Sequence, residues 1–141
     1  MTYNLIGPIS ALATFLGIWA GHVLVREIEK HSASILPPSF GFAILGIGLL
    51  VSTFFTSSLI LSAPMGIIGM TALWDAYEFF RQEKRIKHGH APANPRNPRH
   101  IKILKAHTTA TTLDLLNRNP IGKQVNAEEA LQLITLEEHT Q

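Results

Sequence analysis

Two long stretches of the chain carry no formal charge: Leu5 to Val25, interrupted only by His22, and Ser32 to Trp74. An element with one face in water would mix apolar and charged positions at a period of ~3.6 or 2 residues, and neither period occurs here. Crossing ~30 Å of hydrocarbon takes ~20 apolar residues, so the first stretch is one crossing and the second is too long for a single one. Proline is tolerated in the first turn of a helix, where its missing N–H has no partner to lose. Pro8, Pro38 and Pro64 each head an apolar run. The pattern predicts helices from about Pro8 to Lys30, Pro38 to Ser57 and Pro64 to Lys87, the last two joined tightly through Thr56, Ser57 and Ser58. The alternative makes Pro64 a kink inside a longer third helix, which leaves the count unchanged. A transmembrane β-barrel would alternate apolar and polar residues, and these segments do not. The fold class expected is all-α and integral to a membrane, with three transmembrane helices.

Charge divides the chain in two. Of 12 Lys and Arg and 10 Asp and Glu, only Arg26, Glu27, Glu29, Lys30, Asp75 and Glu78 precede residue 81. Residues 1–87 are therefore expected as the membrane domain, 88–105 as a basic Pro- and Asn-rich linker, and 106–141 as a tail that is either disordered or forms one or two short helices, around Thr108 to Asn117 and from Asn126 to Glu138. Lys and Arg accumulate on the cytoplasmic side of short flanking segments. The segment 81–105 sets Arg81, Lys84, Arg85, Lys87, Arg96, Arg99, Lys102 and Lys105 against Glu83 alone, whereas the Ser57 hairpin has no charge. This predicts a multi-pass protein of the bacterial cytoplasmic membrane with its N-terminus outside and its C-terminus inside. Met1 to Asn4 lacks the basic residues of a cleavable signal peptide, so the first apolar run is expected to be retained.

The runs LATFLGIWAGHVL (Leu12 to Leu24), LILSAPMGIIGMTALW (Leu59 to Trp74) and EFFRQEKRIKHGHAPANPRNPR (Glu78 to Arg99) resemble an uncharacterised family of small bacterial membrane proteins, domain of unknown function 4491. The resemblance rests on His22 after an Ala-Thr-Phe-Leu stretch, on Gln82 to Arg85, on Gly89 and on Asn94-Pro95, and it spans roughly residues 5 to 99. It departs at His90, where an aromatic residue is usual, and the tail past His100 is unmatched. The resemblance implies the topology and no chemistry.

Spacings of three and four place Thr14, Ile18, His22, Arg26 and Glu29 on one stripe of the first helix, and Thr71, Asp75, Glu78 and Gln82 on one stripe of the third. Both stripes become polar at the same end. An ionisable group near hydrocarbon faces a partner or a cavity, so His22 and Arg26 are expected to form an interhelical latch with Asp75 and Glu78. A proton relay is the sharper alternative, weakened by the absence of a carboxylate near mid-bilayer, and unpaired snorkelling is the third. Gly17 and Gly21 form a GxxxG pair that, with Gly66 and Gly69 on the third helix, is expected to mediate close helix packing.

Arg81, Lys84, Arg85, Lys87, Arg96 and Arg99 are expected to meet anionic lipid headgroups, each basic residue adding ~1 kcal/mol near such a leaflet. No aromatic platform accompanies them, so nucleic acid is not an expected partner. His88, His90 and His100 lack a rigid frame for a metal or haem, the chain has no cysteine, and no hydrolase, zincin or phosphate-loop motif occurs. The expectation is a protein without enzyme activity, metal or cofactor, a structural or accessory subunit packed against other membrane subunits or itself. The alternatives are a small transporter or channel-forming homo-oligomer using Thr14, Ser52, Thr53, Thr71 and His22, and a regulator acting through its tail.

Overall fold

The structure is a computed structural model that describes residues 3–114. Its elements there are α1 (Ile6–His31), α2 (Leu36–Thr53), α3 (Leu59–Lys87) and α4 (Pro98–Ala106), with no strand among the described residues. The first three are long and apolar enough to cross a membrane, and their apolar windows are only 17%, 6% and 22% buried within the protein. Phe15, Trp19, Phe40, Ile44, Leu61 and Met70 all point outward. An outside this apolar is suited to lipid tails and costly in water.

Pro8 sits in the first turn of α1, and Pro37 and Pro38 in the first turn of α2. Pro64 differs from the first expectation. It lies inside α3, which begins at Leu59, so the longer-helix alternative holds and the connection spans 54–58. The missing bond at Pro64 removes one donor near the end of the helix, where few turns are left to disrupt.

The central helix is α3, with α1 and α2 both packed along it and little shared between those two. Lipid removes the hydrophobic drive between helices, so close approach depends on small residues. Gly17 faces Thr71, and Gly21 lies against the Asp75 carboxylate. Across the other flank, a Cβ on Gly46 would stand 2.7 Å from the Gly69 carbonyl oxygen, and one on Gly69 would stand 3.0 Å from that of Gly46. Gly66 has only Thr53 near it, at 3.9 Å, while Gly41 and Gly48 face open space. Ser39 Oγ donates to the Ala76 carbonyl at 2.7 Å and ties α2 to α3. Val25, Ile35 and Phe79 close the end where the three helices meet, Phe42 standing edge-on to Phe79.

The linker expected at 88–105 is not an irregular tether. It folds back on the helix ends and contains α4, with Asn97 Oδ1 capping the Arg99 N–H at 2.9 Å and Pro98 in the first helical turn. Ile86, Ala93 and Ile103 make a small second core there. Residues 108–114 form turns rather than the start of a helix. The helix expected from Asn126 to Glu138 lies outside the described residues.

Replacing Gly46 by leucine should lower stability by ~1–3 kcal/mol, the range for overpacking, whereas Gly48→Leu should be near neutral. Thermal unfolding of detergent-solubilised protein followed by helical circular dichroism distinguishes the two, and equal melting would contradict the α2–α3 contact described.

Candidate functional site at the charged end of the helices

The last carbonyls of a helix have no partner within it. On α1 these are the carbonyls of residues 28–31; the Ser32 N–H reaches those of Ile28 and Glu29, and the returning segment adds donors to those of Glu29 and Lys30. Asn94 Nδ2 and Asn97 Nδ2 both donate to the Lys30 carbonyl, at 3.0 and 3.1 Å, and Asn97 Nδ2 also donates to that of Ser32 at 2.9 Å. Arg99 Nη2 donates to the Glu29 carbonyl at 2.9 Å. The Asn-Pro-Arg repeat of residues 94–99 is thus a cap for another helix, held in shape by its own turns: Asn94 Oδ1 accepts from the Arg96 N–H at 3.0 Å.

Within this cap lies a buried ion network. Glu29 is 1% exposed, and its Oε1 accepts from Arg99 Nη2 at 2.5 Å. Arg99 Nη1 donates to Glu83 Oε2 at 2.7 Å, and Glu83 Oε1 takes Lys87 Nζ at 2.5 Å. One guanidinium therefore joins α1, α3 and α4, a task suited to its planar fork of donors. His100 is fully buried beside it. The Asn94 N–H donates to His100 Nδ1 at 2.8 Å, which leaves the proton on Nε2, 3.1 Å from Glu29 Oε1. His100 Nε2 and Arg99 Nη2, 2.9 Å apart, are then two donors converging on one carboxylate oxygen.

The other end of the cap is set by Gly89, the one residue with positive φ among the described residues, at +72°. His90 N–H bonds back to Arg85 O at 2.8 Å and Gly89 N–H to Ile86 O at 3.1 Å, the paired bonds of a Schellman termination of α3. The Thr109 carbonyl lies so close to Gly89 that no Cβ fits. Thr109 Oγ1 donates to the Lys87 carbonyl at 2.7 Å, and the Ala93 N–H to that of Thr111 at 2.8 Å.

The latch expected from His22 and Arg26 to Asp75 and Glu78 takes another form. Glu78 is buried between Arg81 and Arg85 of its own helix, each 3.1 Å away at angles outside the hydrogen-bond range. Asp75 is 5% exposed and rests on Gly21. His22 and Arg26 are exposed, and no ion pair joins either to Asp75 or Glu78 among the described residues. The interhelical ion pairing lies further along, at Glu29–Arg99–Glu83. Glu29 was recoverable from sequence, because the small-residue stripe Ala13, Gly17, Gly21 continues by fours through Val25 to Glu29, and its members Ala13, Gly21, Val25 and Glu29 are buried.

Of the basic residues expected at lipid headgroups, Arg99 is committed inside the fold, Arg85 pairs with Glu78 and Lys87 with Glu83. Arg81 is half-exposed, while Lys84 and Arg96 are exposed without an ion pair among the described residues. His88 Nδ1 is bonded to the Lys84 carbonyl at 2.8 Å.

Residues 4–97 match the family described as domain of unknown function 4491. No curated protein and no solved structure matches the chain. The matched span ends at Asn97, so it includes the two capping asparagines and leaves Arg99 and His100 just beyond.

Breaking a buried ion pair from one side costs about 3–5 kcal/mol. Arg99→Ala should therefore release α4 and the 88–97 segment, and Arg99→Lys should restore little, because a point charge cannot serve Glu29 and Glu83 together. Hydrogen exchange at Ile101 to Leu104 reports this, and unchanged protection in Arg99→Ala would refute it.

Proposed function

We propose that this chain, which belongs to the family of domain of unknown function 4491, is a structural or accessory subunit of a larger membrane assembly, without enzyme activity of its own. The observation that carries the reading is the division of surfaces. The flanks of α1 and α2 are apolar and unpartnered among the described residues, with only 6% of the α2 window buried. The chemically versatile side chains, Glu29, Glu83, Arg99 and His100, are engaged in capping and holding helix ends. Such a protein presents lateral faces to other helices and a rigid basic end to a leaflet.

In this reading the basic end lies in the cytoplasm of a bacterium, with Arg81, Lys84 and Arg96 at the anionic headgroups of the inner leaflet. The neighbours are other membrane proteins or copies of this chain. The channel reading gains little from the hydroxyls. Thr14, Ser52, Thr53 and Thr71 each donate to a carbonyl of their own helix, at 2.9, 2.7, 2.6 and 2.9 Å. That is how a polar side chain is accommodated in hydrocarbon, and it leaves these four hydroxyl protons already committed to the backbone.

Extraction in a mild detergent followed by sizing and mass spectrometry tests the role. Stoichiometric co-purifying membrane proteins are the expected outcome. A lone 15.5 kDa chain, or a homo-oligomer conducting ions in liposomes, would count against it. Orientation is tested by single cysteines in this cysteine-free chain. An impermeant maleimide added to whole cells should label Ser57→Cys and spare Lys102→Cys, and the reverse pattern would invert the topology.

A further inference from the structure

Asp75 is a buried acid outside the capping network. It is 5% exposed and lies about 24 Å along α3 from Leu59 at ~1.5 Å per residue, directly after the uncharged stretch that ends at Trp74. No hydrogen bond or ion pair reaches it from the described residues, whereas its neighbour Glu78 has Arg81 and Arg85. Gly21 makes room for the carboxylate by lacking a side chain.

Asp75 lines a groove of about 760 Å³ between α1 and α3 whose other walls include Ile18, Met70, Trp74 and Tyr77. Trp74 and Tyr77 stand edge to face at 5.8 Å. Rings of this kind attract cations over their faces, and Arg81, which does not line the groove, already stacks 5.7 Å from the Trp74 centroid. His22 and the Tyr77 phenol are the other titratable groups in the groove; neither makes an ion pair with Asp75 among the described residues, although His22 is near enough to act on its charge. An apolar cleft with one unpaired carboxylate and two aromatic rings is complementary to a ligand with a single positive charge and an apolar body.

We propose that the Asp75 groove is a binding site for an apolar, monovalent organic cation that enters from the bilayer. A zwitterionic phospholipid is a poorer occupant, because its ammonium lies outside its phosphate. To reach Asp75 it would have to draw that phosphate into an apolar cleft beside an acid.

The test uses the full chain in phosphatidylcholine nanodiscs with tritiated tetraphenylphosphonium as probe. Saturable binding of about one cation per chain above empty discs is expected. Asp75→Asn should weaken it about tenfold or more. Ile18→Trp, which fills the groove and leaves Asp75 in place, should abolish it. Glu27→Gln, an exposed acid outside the groove, should change nothing. Neutral triphenylphosphine oxide should fail to displace the probe. Absence of a saturable component, displacement by the neutral compound, or undiminished binding in a folded Asp75→Asn protein would each overturn the site. Should Asp75→Asn not fold, Ile18→Trp decides: retained binding overturns the proposal and lost binding supports it.

Discussion

A carboxylate almost sealed from solvent at the end of a helix has to be matched by a positive partner, and Glu29 imposes that requirement on the whole molecule. Its partner, Arg99, lies 70 residues away in sequence. Bringing the two together obliges the chain after α3 to turn sharply at Gly89, run back across the end of α1 and start a new helix at Pro98. The same guanidinium takes Glu83 from α3, so the ends of α1, α3 and α4 are fixed by one side chain. The carbonyls that α1 cannot satisfy itself become acceptors for Asn94, Asn97 and Arg99, and helix termination and tertiary docking are thereby one event.

Away from that end, cohesion has a different origin. Apolar side chains that face lipid gain little by facing one another, so the three long helices are held by backbone proximity and by a few polar bonds. Gly17 and Gly21 admit α3 on one side and Gly46 with Gly69 admit α2 on the other. The Ser39–Ala76 hydrogen bond is worth more here than at a wet surface, because water is not there to compete for it. Polar bonds between elements are thus concentrated at the charged end, while the flanks of α1 and α2 are apolar and without a partner among the described residues.

This distribution bears on function through what it leaves over. Lys84 and Arg96 remain exposed at the capped end, the apolar faces of α1 and α2 remain unpartnered, and Asp75 remains without an ion pair among the described residues. The first two are what the proposed accessory role would use, a leaflet meeting one end and neighbours meeting the sides. The third is a separate feature of the α1–α3 groove, and it shares no residue with the capping network.

The number of apolar helices, their approximate bounds and the charge asymmetry were legible in the sequence. Hydropathy and proline placement act locally, and residues within one helix span establish both. The burial of Asp75, Glu78 and Gln82 on one face of α3 also followed from helical periodicity. The partners of those groups did not. His22 and Arg26 shared a stripe with suitable spacing, yet Glu78 found its cations one and two turns along its own helix, and the interhelical pairing fell to Glu29 with an arginine in the expected linker. Pro92 and Pro95 stand in non-helical chain and Pro98 opens α4, as their chemistry allows, but whether such a segment dangles or docks depends on unsatisfied carbonyls elsewhere. The sequence by itself determined which segments suit lipid and which suit water, because transfer free energy is a property of each residue. Only the tertiary structure decided which charges meet, because an ion pair depends on distances between atoms far apart in the chain, and those are set by the packing of whole helices.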